Sequence, residues 1–463
     1  MLKKLFSKKS PATDLTPNLL SASDLGVHSY QVSSSALQII EQLEKAGYQA
    51  YLVGGGVRDL LVEGRPKDFD IATSATPEQI KSQFRSARII GRRFRIVHVR
   101  MGREVTEVTT FRAHHDDGNK SQATQAANGM LIRDNVYGDI QSDALRRDFT
   151  MNALYYSPGR DEIIDYANGI GDVKNGLVRM IGDPETRYQE DPVRMLRAAR
   201  LAAKLGFTIE ASTAKPIEAL GQLLINIPPA RLFDESLKLF MSGYAEVTYQ
   251  ELKQQRLFRY LFPATAHLLD AKPNEVESEL PISQHSGYID QLIQQAAANT
   301  DSRIHTGKRV TPAFIFAVIL WPAVAREQHQ LNKQGVKGLP AMQQAGQKVL
   351  REQVQRIAIP RRFTQTIKEI WDMQLRLPRR AGNQAYRALE HPRFRAAYDF
   401  LLLREQAGED HQGLGQWWTD FQAANEDQRA ALVSEQDAQT KNNGGPNRKR
   451  RSRPRRRKPA SSE

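Results

Sequence analysis

Residues 52–73 read LVGGGVRDLLVEGRPKDFDIAT. The apolar run Ala50–Val53 predicts a short strand, Val57–Val62 predicts a helix, and Gly54, Gly55 and Gly56 lie between them. At such a turn a bare backbone can approach a phosphate, and the first N–H groups of the helix can hold its charge. Glycine clusters also make ordinary turns; Arg58 beside this one favours an anion. At the far end, Asp68 and Asp70 stand two apart, so a strand projects both carboxylates to one face while Phe69 and Ile71 turn to the other. Like charges so placed repel unless a cation separates them. Magnesium suits the arrangement, because it takes one or two carboxylates together with substrate phosphate oxygens. A solvated Asp-x-Asp edge is the alternative, but a phosphate loop and a carboxylate pair in one short unit are the two halves of a metal-assisted phosphoryl or nucleotidyl transfer site. Glu107 in VTEVTTF is placed to be a third carboxylate on a neighbouring strand, or equally a solvent-facing strand residue.

Around this stretch the text alternates quickly. SSALQIIEQLEKAGY predicts a helix from Ser34 with Gly47 as its stop. A helix follows Thr76-Pro77, and RIVHVRM and VTEVTTF predict two strands. The result is a small mixed α/β unit. Residues 1–33 carry Ser, Thr, Pro and Lys without periodicity and predict a flexible leader, with order beginning near Ser34. Residues 113–130 predict a solvated loop. Its His114-His115-Asp116-Asp117 lacks the dispersed helical partners that a metal site needs. From Asp191 to about Glu435 helical patterns dominate, punctuated by Pro228-Pro229, Pro263, Pro322 and Pro378.

Two further clusters carry chemistry. In Arg146-Arg147-Asp148-Phe149-Thr150 the arginines can hold a triphosphate by forked hydrogen bonds, and Asp148 can meet a ribose hydroxyl or position the chemistry. A structural ion-pair cluster is the alternative. In EDPVRMLRAARLAAKLGF, Asp191 predicts an N-cap, Pro192 the first helical position and Gly206 the stop. Asp191 and Arg194 share a helical face and can offer an acceptor and a donor fork to a base edge, unless Asp191 merely caps and Arg194 merely pairs with it.

The 463 residues predict several structural units. Net charge is +14, yet residues 441–463 hold ten basic residues and one acid, so the other 440 residues carry 56 basic and 51 acidic groups. Most of the imbalance is a tail. NRKRRSRPRRRKP cannot build a core and predicts disorder. Its Arg448, Lys449, Arg450, Arg451, Arg453, Arg455, Arg456, Arg457 and Lys458 predict an RNA tether acting through phosphates, with a solubilising tail as the bland alternative. Cysteine is absent, which excludes disulfides and thiolate chemistry. No apolar run approaches the ~20 residues that span a bilayer, and MLKKLFSKKS has no h-region.

Together LVGGGVRDLL, KDFDIAT, EVTTFR, RRDFTMNALYY, RMIGDPETRYQEDPVRMLRAARLAAKLGF and IPPARLFDESLKLF resemble the class II nucleotidyltransferases, the family of bacterial poly(A) polymerases and tRNA CCA-adding enzymes. The resemblance implies an α+β chain: a palm-like head with a mixed sheet at 34–165, an all-helical neck with base recognition at 166–240, a helical RNA-binding body at 241–440 and the disordered basic tail at 441–463. It implies that Asp68 and Asp70 bind metal, Mg2+ or Mn2+, that Asp148 joins them in catalysis, that Gly54, Gly55, Arg58, Arg146 and Arg147 serve the nucleotide, and that Asp191 and Arg194 select its base. IIGRRFRIVHV, with Arg92, Arg93 and Arg95 as RNA or nucleotide contacts, is similar to the poly(A) polymerase branch, as are WDMQLRLPRR and LEHPRFRAAYDFLLLR. That branch implies template-independent addition of adenylate from ATP to RNA 3′ ends, a cytoplasmic location, and RNA-decay proteins as partners. A CCA-adding enzyme and a catalytically idle RNA-binding protein on the same fold are the alternatives.

Deleting residues 441–463 is expected to weaken RNA binding and to reduce the slope of log affinity against log salt by roughly several units, as the released counterions are lost. A filter-binding titration at several salt concentrations measures both, and an unchanged affinity and slope would refute the tether.

Overall fold

Apolar alternation builds a mixed sheet in the first part of the chain. The structure, a computed structural model, describes residues 16–62, 66–91, 95–113, 123–125, 131–134, 136–270 and 281–443. Of the twelve strands among the described residues, two, Leu177–Val178 and Thr208–Ile209, form a short parallel pair, and ten precede residue 166: β1 (Asn18–Ser21), β2 (Ala50–Val53), β3 (Asp70–Thr73), β4 (Arg88–Ile90), β5 (Ile96–Met101), β6 (Glu104–Thr110), β7 (Ala123–Gln125), β8 (Leu131–Asp134), β9 (Leu154–Ser157) and β10 (Glu162–Asp165). Eight of them form one sheet in the order β1-β10-β9-β2-β3-β6-β5-β4, while β7 and β8 pair separately. Within the large sheet β3 and β6 run parallel; its other ladders are antiparallel.

The period-two rule divides the sheet between two cores. Leu52, Ile71, Val108, Tyr156 and Ile163 join one cluster with Ile39, Ile40 and Leu43 of helix α1 (Ser34–Lys45). Their strand neighbours Tyr51, Val53, Ala72, Tyr155 and Ile164 join the other with Phe111 and Ala144. Helices α2 (Gly55–Val62), α3 (Pro77–Gln83), α4 (Ile140–Arg146), α5 (Gly169–Lys174), α6 (Pro184–Glu190) and α7 (Val193–Leu205) follow in order. Ser33 caps α1 through the Ala36 N–H, Thr76 forms a capping box on α3, and Gly206, with φ +66°, ends α7. The helices Pro229–Phe240 and Ala245–Gln254 pack on α7 and on each other.

Contacts divide the chain into two units, residues 1–263, 297–308 and 355–358 in the first and the remainder in the second. The second unit is helical. Two of its four indoles place their N–H groups on buried carbonyls, Trp371 Nε1 donating to Ala317 at 3.0 Å and Trp418 Nε1 to Leu377 at 3.1 Å. No described helix is long and apolar enough to cross a membrane.

Three expectations fail locally. Order begins before Ser34, because Asn18–Ser21 pair antiparallel with β10, an edge ladder that backbone hydrogen bonds make without apolar periodicity. Part of the loop expected at 113–130 is strand, for the same reason: β7 pairs with β8. Pro322 does not punctuate; it lies inside the helix Pro312–Lys333, where the buried Ala313–Val324 stretch outweighs the lost hydrogen bond. His114–Asp117 and the basic residues from Arg448 to Lys458 lie outside the described residues.

Removing residues 1–21 strips β1 from the edge of the sheet and uncovers β10. The urea midpoint of the truncated chain should fall measurably; an unchanged midpoint would mean that β1 adds nothing to stability.

Candidate nucleotidyl transfer site

Where β2 runs into α2 the backbone permits little besides glycine. Gly54 has φ +74°, a conformation that strains L side chains, and a Cβ there would lie 3.4 Å from Arg147 Nη1. A Cβ on Gly56 would approach the Asp68 carbonyl oxygen to 3.2 Å. The glycine turn therefore passes directly over the Lys67–Asp70 stretch, and the two halves of the motif become one place.

Asp70 opens β3, and Asp68 stands exposed two residues earlier, with Phe69 and Ile71 buried on the alternate side. The parallel ladder sets Asp70 beside Glu107 of β6, and the antiparallel one sets Glu107 beside His98, whose Nε2 lies 3.4 Å from Glu107 Oε1. Burial pushes the Asp70 carboxyl up to about 6; Glu107 and Asp68 push in the same direction and Arg147 opposes them. Among the described residues no three His, Asp or Glu side chains form a ready-made metal cage. The acidic row nonetheless fits a divalent ion: its donors are hard oxygens, and their mutual repulsion is what a cation relieves.

On the other side of the turn cations crowd together. Arg147 donates to Asp143 Oδ2 at 2.9 Å and to the Tyr155 hydroxyl at 3.0 Å. Arg187 donates to the carbonyl oxygens of Arg146 and Arg147 at 2.5 and 2.7 Å and shares Glu190 with Arg194, at 2.8 and 2.9 Å. Burial pulls Arg146 down to about 9, and Arg112, Arg187, Arg147 and Arg194 add to the effect. Arg187 falls to about 10, through burial first and Arg194 next. Arg146 and the four guanidiniums gathered around it form a basin suited to a polyanion.

The proposed base readers each have a partner. Asp191 Oδ2 accepts from Arg231 Nη2 at 2.7 Å, and its Oδ1 accepts weakly from Val193 N–H at 3.3 Å, while Arg194 is held by Glu190. Helix α7 starts one residue later than expected, with Pro192 as its N-cap. Arg58, 4% exposed, is committed to Asp59 Oδ1 and to Asn152 Oδ1, the latter at 2.6 Å. Asn152 Nδ2 and Phe149 N–H donate to Asp148 Oδ1 at 3.1 and 2.8 Å. Arg197 of α7 grips Asp148 Oδ2 through Nε at 2.7 Å and Nη2 at 2.5 Å. Burial would raise Asp148, but Arg197 and these N–H donors override it and hold the carboxyl well below the usual range. Lys204 closes on Asp59 at 3.1 Å.

The sequence motifs thus meet in one region of the first unit. Arg95 pairs instead with Glu78 at 2.5 Å; Arg92 and Arg93 lie outside the described residues. Roles for Arg112, Arg187, Arg197 and Arg231 were not evident from the sequence, although Arg197 stands one helical turn beyond Arg194 and that spacing was available.

Three family descriptions match successive parts of the chain: "Poly A polymerase head domain" over residues 50–179, "Probable RNA and SrmB-binding site of polymerase A" over 206–269, and "Polymerase A arginine-rich C-terminus" over 334–457. Poly(A) polymerase I of Salmonella typhimurium is 46% identical over 433 residues, covering 92% of this chain and 90% of the relative. Its counterpart in Haemophilus influenzae is 44% identical, with 94% of each covered. A CCA-adding enzyme of Lactobacillus helveticus is 37% identical over 46% of this chain. Among solved structures, the CCA-adding enzyme of Bacillus stearothermophilus in complex with CTP superposes with a TM-score of 0.54 at 22% identity, covering 88% of this chain and 98% of that one, a likeness of fold.

Replacing Gly54 with alanine places an L side chain at φ +74°. The expected cost is about 1–2 kcal/mol in urea unfolding, together with a weaker grip on nucleoside triphosphate in equilibrium dialysis. Wild-type values for both would show that the turn tolerates a side chain.

Proposed function

The chain belongs to the poly(A) polymerase family of nucleotidyltransferases, and on that premise we propose that it extends RNA 3′ ends with adenylate from ATP, without a template. The reaction joins the 3′-hydroxyl oxygen to the α-phosphorus of ATP and breaks the bond to the β-phosphate. Pyrophosphate leaves and the hydroxyl proton passes to solvent. The observation that carries this reading is the acidic row of Asp68, Asp70 and Glu107 under a glycine turn whose other flank is a basin of arginines.

In this reading Asp68 and Asp70, with Glu107 beside them, hold a divalent ion, Mg2+ or Mn2+. Bound there, it supplies a lowered pKa for the attacking hydroxyl and neutralises charge on the entering and leaving oxygens. The backbone N–H groups at Gly54–Gly56, with Arg146 and Arg147, orient the triphosphate. Asp191 and Arg194, fixed by Arg231 and Glu190, face the base. A pair already held in one geometry favours one base over several, since it does not readjust its donors and acceptors. The first and second units would correspond to head plus neck and to an RNA-binding body, with the boundaries expected near residues 165 and 240. The setting is the cytoplasm, the substrates are transcripts, and the tails mark them for decay with the help of RNA-decay proteins.

Purified protein incubated with magnesium, a generic RNA and each nucleotide in turn should give a long ladder with ATP alone. Asp68→Ala and Asp70→Ala should each lower its rate by about a hundredfold or more, since several kcal/mol of charge stabilisation are removed. Addition that stops after C, C and A on tRNA ends would overturn the reading, and undiminished ladders in both variants would overturn the metal assignment.

A further inference from the structure

We infer that Arg197 is a positioning residue that fixes Asp148 and thereby sets the base-reading helix α7 against the glycine turn. The inference rests on the proposed adenylate transfer and deepens it. An ionised carboxylate has about four acceptor positions. At Asp148 all four are in use: Phe149 N–H and Asn152 Nδ2 on one oxygen, and both arms of the Arg197 fork on the other. A ribose hydroxyl could bond to this carboxylate only by displacing one of these donors. Asp148 is therefore held in one orientation by groups of the head and of α7 before any substrate arrives.

What it holds is the relation between two elements. Asp191 lies just before α7 and Arg194 in its first turn; Arg197 follows one turn later on the same helix. From Arg197 a polar chain runs through the head and returns to α7. It passes through Asp148 to Asn152, from Asn152 to Arg58, from Arg58 to Asp59 and from Asp59 to Lys204. Arg58 begins its bond to this chain one turn past Gly54, whose carbonyl accepts the Arg58 N–H at 3.2 Å. The base readers and the triphosphate turn are thus tied to one closed ring. The Arg197 end is the stronger tie, because a forked, charge-assisted pair fixes orientation as well as distance, whereas the Lys204 ammonium is a single point charge. Arg200, between these two cations on α7, is depressed by burial first and then by Arg197 and Arg58. With cations so close, the carboxylates of Asp148 and Asp59 are what allow α7 to approach the head.

The test uses the full chain with Arg197→Met, Arg197→Lys, Asp148→Asn and the double variant Arg197→Met/Asp148→Asn, measured for ATP and CTP addition to a generic RNA and for thermal midpoint. Arg197→Met should raise KM for ATP by about tenfold or more and narrow the ATP:CTP ratio of kcat/KM; the double variant should be no worse than the poorer single by more than about twofold. Arg197→Lys, which keeps charge but not the fork, should fall between wild type and Met, and it carries the test if the Met variant unfolds below assay temperature. A drop in kcat with KM and the ATP:CTP ratio unchanged would reduce Arg197 to a stabilising contact and overturn the inference. So would defects that multiply in the double variant, since Asp148 would then act independently. Should the wild-type chain bind ATP yet extend no RNA, the proposed function fails, while ATP affinities of the same variants still decide for or against Arg197.

Discussion

The parallel pairing of β3 with β6 is the constraint on which the site depends. It places Asp70 next to Glu107 at the start of a ladder in which Ile71, Ala72, Thr73, Val108 and Thr110 are buried. Two carboxylates so placed are forced together by a hydrophobic core that they do not control. The core holds the acids at the surface end of the ladder, and their repulsion is the standing charge that a metal-assisted phosphoryl chemistry can use. A parallel neighbour requires a crossover, and the chain supplies it through α3, β4 and β5, which explains why the acidic residues are almost forty positions apart in sequence and adjacent in the sheet.

The arginine side of the site has the opposite problem. Arg146 and Arg187 sit where burial and neighbouring guanidiniums disfavour their charge, and the carboxylates among them are already paired, Asp143 with Arg147, Glu190 with both Arg187 and Arg194, and Asp148 with Arg197. Those carboxylates orient the forks without cancelling the field. In the proposed reaction a triphosphate would meet donors already aimed, so little of its binding energy would go into ordering them.

Much of this was legible in the sequence where the signal was local. The strand at Ala50–Val53, the helices that begin at Ser34 and after Thr76 and the stop at Gly206 depend on neighbours a few residues away. Period-two spacing put Phe69 and Ile71 inside and Asp68 outside, with Asp70 half-buried at the start of its strand. What could not be read was partner choice between elements. Asp191 and Arg194 are three apart and suited to each other, yet Arg231 takes the first and Glu190 the second. Arg58 looked like a phosphate ligand because it follows three glycines, but burial turned it towards Asp59 and Asn152. Asp148 looked available until a helix almost fifty residues on supplied Arg197. Long-range charge pairing leaves no period in the text.

The edge ladder of β1 with β10 bears on how the chain comes to be folded. Asn18 pairs with Asp165 and Ser21 with Glu162, so the first described strand closes onto the last strand of its sheet. During synthesis at about 5–20 residues per second, β1 leaves the ribosome on the order of ten seconds before its partner exists. Throughout that interval its segment has no partner, and the sheet's outer edge is the last thing to be sealed; Leu19 stays exposed even in the finished sheet. A head that finishes at its own beginning cannot be completed piecemeal: its folding waits on translation of everything between.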